Sequence, residues 1–257
     1  MSIYQHFRQE EHDFIDQVLE WKDTVVEQYA PRLTDFLDPR EQEIVSSVIG
    51  NNDDVKLAFH GGASGAERKR ALLHPPYLEP TIGDFQLKSY QLSYPDKFLQ
   101  IEHRQVLGSL MGIGLKRSKF GDIYFHDKDV QLVLGAEVSG FVELQLQEVG
   151  RVKVSLSELP LEELYAAVVS WEEKSTTAAS LRLDVMIASV YNLSRQKAQL
   201  LIDGKKVKVN WRLVEQTAFE CREGDILSVR GYGRSKLITL DGKTKKDKWR
   251  IIVGKQK

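Results

Sequence analysis

The residues with the most to offer chemically are cations, and they crowd one stretch near the C-terminus. Arg182, Arg195, Lys197, Lys205, Lys206, Lys208, Arg230 and Arg234 all fall between Leu181 and Arg234. Guanidinium and ammonium groups gathered on one small surface bind phosphates through charge-assisted hydrogen bonds. Ser194 and Asn210 add polar contacts, and Tyr232 adds a ring on which a base can stack. A lysine-rich face that merely keeps a small domain solvated is the plain alternative. Either way the pattern belongs to binding, because nothing in it makes or breaks a bond.

Two upstream stretches offer a second set of cations. His60-Gly61-Gly62-Ala63-Ser64-Gly65-Ala66-Glu67-Arg68-Lys69-Arg70 has the look of a phosphate loop. It lacks the Gly-Lys-Ser/Thr ending of one, and Ser64 directly precedes Gly65, so a nucleophile elbow fails too. It reads as a turn into a short basic helix, Glu67 to Leu73, stopped by Pro75-Pro76, with Arg68, Lys69 and Arg70 free to touch phosphate or only to start that helix. Gly112-Ile113-Gly114 is too short for a dinucleotide fingerprint, and it leads into a basic loop carrying Lys116, Arg117 and Lys119. That loop either holds a phosphate or connects helix to strand.

Catalytic groups are harder to find. The six histidines show no metal-ligand spacing, and one cysteine cannot build a zinc site. Cys221, between Glu220 and Arg222, reads as structural or exposed rather than as a nucleophile. No catalytic residue, metal or cofactor is expected.

The elements that must position the cations can be read from periodicity. Leu183, Met186, Ile187 and Val190 follow helical spacing, and Ser194 caps a second short helix burying Ala198, Leu201 and Ile202. Asp203-Gly204 should end it with the glycine left-handed. Val207 and Val209 alternate with lysines as a strand. Glu223-Gly224-Asp225 turns into a second strand, Ile226 to Arg230, and a hairpin around Asp241-Gly242 carries Lys243, Lys245, Lys246 and Lys248.

Upstream, residues 3–29 read as one helix broken by Ala30-Pro31. Asp38, Pro39 and Glu41 read as a capping box opening a second helix that ends near Gly50, followed by a strand at 55–59. Residues 83–156 have the order β-α-β-β-α-β: strand 85–94, helix 103–111, hairpin 122–125 with 130–134, helix 138–149 and strand 152–156. That is a ferredoxin-like sheet without the aromatic pattern of base-stacking relatives. The expected fold is α+β and multidomain: an N-terminal helical/α+β domain (1–80), a ferredoxin-like domain (81–160), a helix and polar linker (161–180), and the basic module with its hairpin (181–257).

Charge supports this division. The chain of 257 residues carries a net charge of only -1. From residue 181 onward, 18 Lys and Arg face 8 Asp and Glu, a net of +10. The remaining 18 cations and 29 anions leave the upstream part at -11. An acidic body thus carries a basic module, and polyanion binding is expected of the module. A hydrophobic content of 42% suits a soluble globular protein, no apolar run reaches membrane-spanning length, and no signal-peptide pattern opens the chain. A cytoplasmic location without membrane contact is expected.

Arg182-Leu183-Asp184, Ser194-Arg195-Gln196-Lys197-Ala198, Leu201-Ile202-Asp203-Gly204, Val207-Lys208-Val209-Asn210, Gly224-Asp225-Ile226 and Arg230-Gly231-Tyr232-Gly233-Arg234 resemble the αL RNA-binding motif named after the fourth small-subunit ribosomal protein. The resemblance implies RNA contact at Arg182, Ser194, Arg195, Lys197, Lys208 and Arg230, and structural roles for Asp184, Ala198 and Gly204. Pseudouridine synthases place such a module before a catalytic domain, whereas here the aspartate lies inside the module. The signatures of aminoacyl-tRNA synthetases and of methyltransferases are missing.

Nearly the whole chain resembles the YlmH family of bacterial RNA-binding proteins, through Ile3-Tyr4-Gln5-His6-Phe7, Thr34-Asp35-Phe36-Leu37-Asp38-Pro39-Arg40-Glu41, Glu67-Arg68-Lys69-Arg70-Ala71, Leu107-Gly108 and Gly121-Asp122-Ile123. Gln105 departs from the acid expected there. The resemblance implies a non-enzymatic factor that binds rRNA or tRNA on large ribosomal subunits carrying peptidyl-tRNA, in ribosome-associated quality control. Other translation or division proteins would meet the acidic body. The alternatives are an RNA-modifying enzyme with its site in residues 1–156, around His60 to Arg70, and a cell-division scaffold.

Overall fold

The computed structural model describes residues 3–51, 53–95, 99–166 and 170–256. The chain forms two compact units, Met1–Ala167 and Val168–Lys257.

The first unit opens with two short 3-10 turns, Ile3–His6 and Gln9–Glu11, before helix α1 (His12–Gln28). One helix over 3–29 is therefore not formed. Arg8 is extended, and both Glu11 carboxylate oxygens accept from the Arg40 guanidinium at 2.8 Å, a tertiary tie that overrides local helix propensity. Tyr29, left-handed, ends α1. Strand β1 (Arg32–Leu37), unmarked by the sequence, leads to α2 (Pro39–Ile49), whose N-cap is the expected one. Asp38 accepts from the Arg40 and Glu41 N–H groups, and Glu41 reaches back to the Asp38 N–H.

Strands β2 (Lys56–His60) and β3 (Lys69–His74) complete a sheet in the order β1-β3-β2. The basic helix expected at Glu67 to Leu73 is thus a central strand. Arg70 to His74 are all buried, and a continuous apolar run flanked by charge carries no period that separates strand from helix.

The rest of this unit is β4 (Leu87–Ser93), α3 (His103–Gly112), β5 (Phe120–His126), β6 (Asp129–Gly135), α4 (Ala136–Gln145), the small hairpin β7 (Glu148–Val149) and β8 (Val152–Lys153), and β9 (Ser155–Leu159). The sheet order β5-β6-β4-β9, antiparallel throughout, is the ferredoxin-like arrangement read from the element order. The second helix stops at Gln145, earlier than expected. Gly150 at φ 64° turns the β7–β8 hairpin that replaces its last turn, and the closing strand falls at 155–159. At α3, Gln105 Oε1 accepts the Glu102 N–H at 2.8 Å, so the amide performs the capping-box bond an acid would make.

One face of the four-stranded sheet carries α3 and α4 over Tyr90, Leu92, Phe120, Leu132 and Leu134. The other face, which many ferredoxin-like RNA binders leave open for bases, is closed here. Tyr124 and Val133 pack with Phe36, Leu164 and Tyr165 in one cluster, and a Cβ on Gly121 would lie 2.8 Å from the Phe36 ring.

The second unit begins with β10 (Trp171–Ala178), which pairs along its full length with the last strand. Of the helix and polar linker expected over 161–180, the described residues instead form a 3-10 turn (Leu161–Glu163) and this edge strand, and 167–169 lie outside the described residues. Its Glu, Lys, Ser and Thr side chains are polar because an edge strand is largely solvated. Helices α5 (Leu183–Tyr191) and α6 (Arg195–Asp203) follow, then β11 (Val207–Val209), β12 (Arg212–Leu213), β13 (Ile226–Val229), β14 (Gly233–Lys243) and β15 (Trp249–Gln256). The sheet order is β10-β15-β14-β13-β11-β12. Leu183, Met186, Ile187, Ala198, Leu201 and Ile202 pack on Val207, Val209, Leu227, Val229, Leu237 and Ile251 from one side.

Two turns differ from expectation. Gly204 has φ −80° and Lys205 takes the left-handed position; Gly204 is needed because a Cβ there would lie 2.9 Å from the Leu200 carbonyl oxygen. The C-terminal hairpin forms, but it turns at Thr244–Asp247, while Gly242 (φ 70°) lies in a register break of β14.

Candidate nucleic-acid interface

Asp184 organises the basic surface. It sits in the first turn of α5 and is 0% exposed. Backbone pairing of 181–184 with 217–221 holds it there: Leu183 N–H to Phe219 O at 2.8 Å, Asp184 N–H to Thr217 O at 3.2 Å and Cys221 N–H to Leu181 O at 2.8 Å. Its Oδ2 accepts Arg195 Nε at 2.8 Å and Gln199 Nε2 at 3.1 Å. Its Oδ1 accepts Arg182 Nε at 3.2 Å and the Val185 N–H at 3.0 Å. Burial by itself would raise the carboxyl pKa; the donors from Arg182, Arg195 and Gln199 outweigh it and hold the group down to about 2.

The two guanidiniums remain 40% and 56% exposed. A buried carboxylate thus fixes the inner edges of two arginines and leaves their outer edges to solvent, a preorganised fork for phosphate. Gln199, one turn after Arg195 on the same helix face, is the supporting residue that sequence reasoning passed over; its i, i+4 spacing was the available signal.

The other expected residues divide. Ser194 caps α6 by accepting the Lys197 N–H at 3.2 Å, so its oxygen serves the helix. Lys197 Nζ lies 5.8 Å from the centroid of the Tyr232 ring, which meets Tyr191 edge-on. This brings α6 beside the β13–β14 turn, where Arg230 is exposed. Lys205, Lys206, Lys208, Arg230 and Arg234 line one open depression of about 430 Å³, with Ser228 and two glycines as its floor. Lys205 also pairs with Glu215 at 3.0 Å, and Arg234 lies over the Trp211 ring at 5.8 Å. Asn210 is used internally. It donates to Asp225 Oδ1 at 2.7 Å and accepts the Ile226 N–H at 2.8 Å, bracing the end of the β11–β13 strand pair.

The upstream cations mostly serve the first unit's interior. Arg70, 5% exposed, donates to Thr34 O at 2.7 Å, Gln86 O at 3.2 Å and Glu137 at 3.1 Å. Arg68 donates to Phe36 O, and Arg117 to the Phe120 and Gly121 carbonyls. Lys119 bridges Asp35 and Glu137. These four, for which phosphate contact and a structural role both stood open, join strands to loops; Lys116 is exposed and Lys69 partly so. The His60–Arg70 loop is likewise anchored. Asp122 Oδ2 accepts the Glu67 N–H at 2.6 Å, and His60 Nδ1 accepts the Gly62 N–H at 3.1 Å. Burial, then Lys69, pushes the His60 pKa down, which favours the acceptor role the ring plays here.

Cys221 is 1% exposed, and burial, then Asp225, pushes its thiol up to about 12. Among the described residues no group of three or more His, Cys, Asp or Glu side chains is placed to hold a metal ion. No helix among them is long and apolar enough to cross a membrane.

A helix pair presenting arginines held by one buried carboxylate, on a small sheet, in a chain that also has a ferredoxin-like domain, defines a multidomain RNA-binding protein. Comparison with known proteins agrees. Residues 181–227 match the S4 domain, residues 80–163 the family described as "Putative RNA-binding domain in YlmH", and residues 10–78 that described as "YlmH, N-terminal". The "Ribosome-associated protein quality control protein P2" of Bacillus subtilis (strain 168) is 52% identical over 256 residues, covering 100% of this chain and 99% of the relative. The solved structure "Cell division protein ylmH from Streptococcus pneumoniae" is similar with a TM-score of 0.54 and 31% identity, covering 63% of this chain and 98% of that one. The chain belongs to the YlmH family.

Proposed function

We propose that the protein is a non-enzymatic factor that binds the large ribosomal subunit carrying peptidyl-tRNA, in ribosome-associated quality control. The observation that carries this reading is the full-length likeness to a relative named for that process, together with the Asp184-held arginine fork. In this reading Arg182, Arg195, Lys197, Lys206, Lys208 and Arg230 grip rRNA or tRNA through phosphates. The first unit acts as one acidic body that meets protein, and the second unit acts as the RNA-binding module. The protein works in the cytoplasm.

The test is co-sedimentation of the full chain with large subunits at several salt concentrations. Arg195→Glu with Lys197→Glu should abolish pelleting, and wild-type pelleting should fall as salt rises. Pelleting that survives both changes would show that this surface does not bind the subunit. Mass spectrometry of rRNA and tRNA nucleosides from a deletion strain should show no missing modification. A modification lost on deletion and restored by the gene would make the protein an enzyme.

A further inference from the structure

The six-stranded sheet has two faces, and the helices cover only one. By strand alternation, Val207, Val209, Leu227, Val229, Ile251 and Val253 point to the helices. Their neighbours must point the other way. Across three strands, Lys208 is in register with Ser228, and Ser228 with Arg234. The next row runs Ile226, Lys236, Gly254 and Glu173. A Cβ on Gly254 would meet both Trp171 and Ile238, which places those two side chains on this same face.

The result is an open surface with half-buried Ile226, Ile238 and Ile252 at its centre, half-buried Trp171 on its β10 edge and cations beside them. Trp211 lies at the Arg234 end, under that guanidinium. Lys208 and Lys236 have no carboxylate partner among the described residues, and Glu173 is the one acid in these rows. Trp171, Lys236, Ile238 and Ile252 lie outside the stretch 181–227 that matches the S4 domain, whereas Lys208, Trp211 and Ile226 lie within it, so this face spans that motif and the strands beside it.

We propose that this helix-free sheet face is a second RNA surface, which takes an unpaired strand while the arginine fork on the helices takes structured RNA. The charge is complementary to a polyanion. Flat apolar and indole surfaces between cations suit bases that are free to stack, which duplex bases are not. Lys208 and Arg234 are two strand spacings apart, about 10 Å, so they would meet different phosphates of one strand. The proposal rests on the RNA-binding reading and adds a second, distinct ligand geometry to it.

The experiment uses the full chain, a twelve-nucleotide oligouridine and a blunt RNA hairpin, each fluorescently labelled, with anisotropy as the readout. Trp171→Ala with Lys236→Glu should weaken oligouridine binding about tenfold or more. It should also reduce its log–log salt slope by about 0.7, because one lysine no longer neutralises a phosphate of the single strand. The same variant should change hairpin affinity less than threefold, and Arg195→Glu should do the reverse. Saturating unlabelled hairpin should leave oligouridine bound to the wild type. Displacement by the hairpin, or equal weakening of both RNAs by either variant, would overturn the second surface while leaving RNA binding intact. Failure of both RNAs to bind would overturn the RNA reading itself. Unchanged oligouridine binding, with a concentration-dependent dimer that the double variant abolishes, would assign the face to a second copy of the chain.

Discussion

Replacing Asp184 by Asn tests whether the arginine fork is preorganised or merely basic. The carboxylate is fully buried, accepts from three side chains and is held at a pKa of about 2 against an ordinary value of 3.8. That difference corresponds to roughly 2 kcal/mol of stability at neutral pH. Asn keeps the shape and one acceptor, and the half-exposed arginines keep their hydration, so the expected loss is about 2 kcal/mol rather than the larger penalty of stranding a buried charge.

Urea unfolding followed by tryptophan fluorescence is a suitable assay, because Trp171, Trp211 and Trp249 lie in the second unit and only Trp21 in the first. The sign of the pH dependence is fixed. A carboxyl whose folded pKa is depressed adds stability that is fully present above pH 4 and disappears as pH falls toward 2. The two proteins should therefore differ at pH 7 and converge near pH 2. RNA affinity supplies a second readout with opposite expectations. The variant loses a negative charge, so charge alone predicts tighter binding, whereas loss of the clamp predicts binding several-fold weaker. Equal stability at pH 7, or tighter RNA binding, would refute the reasoning.

Other expectations concern the interior. Arg70→Ala should destabilise the first unit by about 3 kcal/mol, because two carbonyls lose their donor in a buried site, while RNA affinity stays unchanged; thermal melting and anisotropy together check this. Asp38→Ala should cost about 1 kcal/mol in the same melt by removing the α2 cap. Cys221 should resist iodoacetamide at pH 8 in the folded chain and react once urea unfolds it, as mass spectrometry would show; rapid labelling of the native protein would contradict the buried, protonated thiol.

Much of this molecule can be read without any coordinates. The α2 cap, the Ser194 cap, the ferredoxin-like order and the helix pair all depend on neighbours a few residues apart, and local chemistry specifies those. The failures share a different cause. Glu67 to Leu73 reads as a helix, and 161–180 as a helix and linker, because the state of the strands within them depends on distant partners: β1 and β2 in one case, the last strand in the other. A strand buried on both faces, or a polar one at an edge, carries no clean period of two.

The site shows the same division. Sequence alone placed the cations in one module, because charge is a property of residue type and the asymmetry between -11 and +10 survives any fold. It also marked Asp184 as structural through the motif's resemblance. Only the tertiary structure decided which cations remain available. It committed Arg70, Arg68, Arg117 and Lys119 to carbonyls and carboxylates inside the first unit, and it fixed Arg182 and Arg195 on one buried carboxylate with their outer edges exposed. A guanidinium has the same charge in either setting. Whether its donors face a carbonyl or the solvent is settled by packing, and packing is not written in residue type.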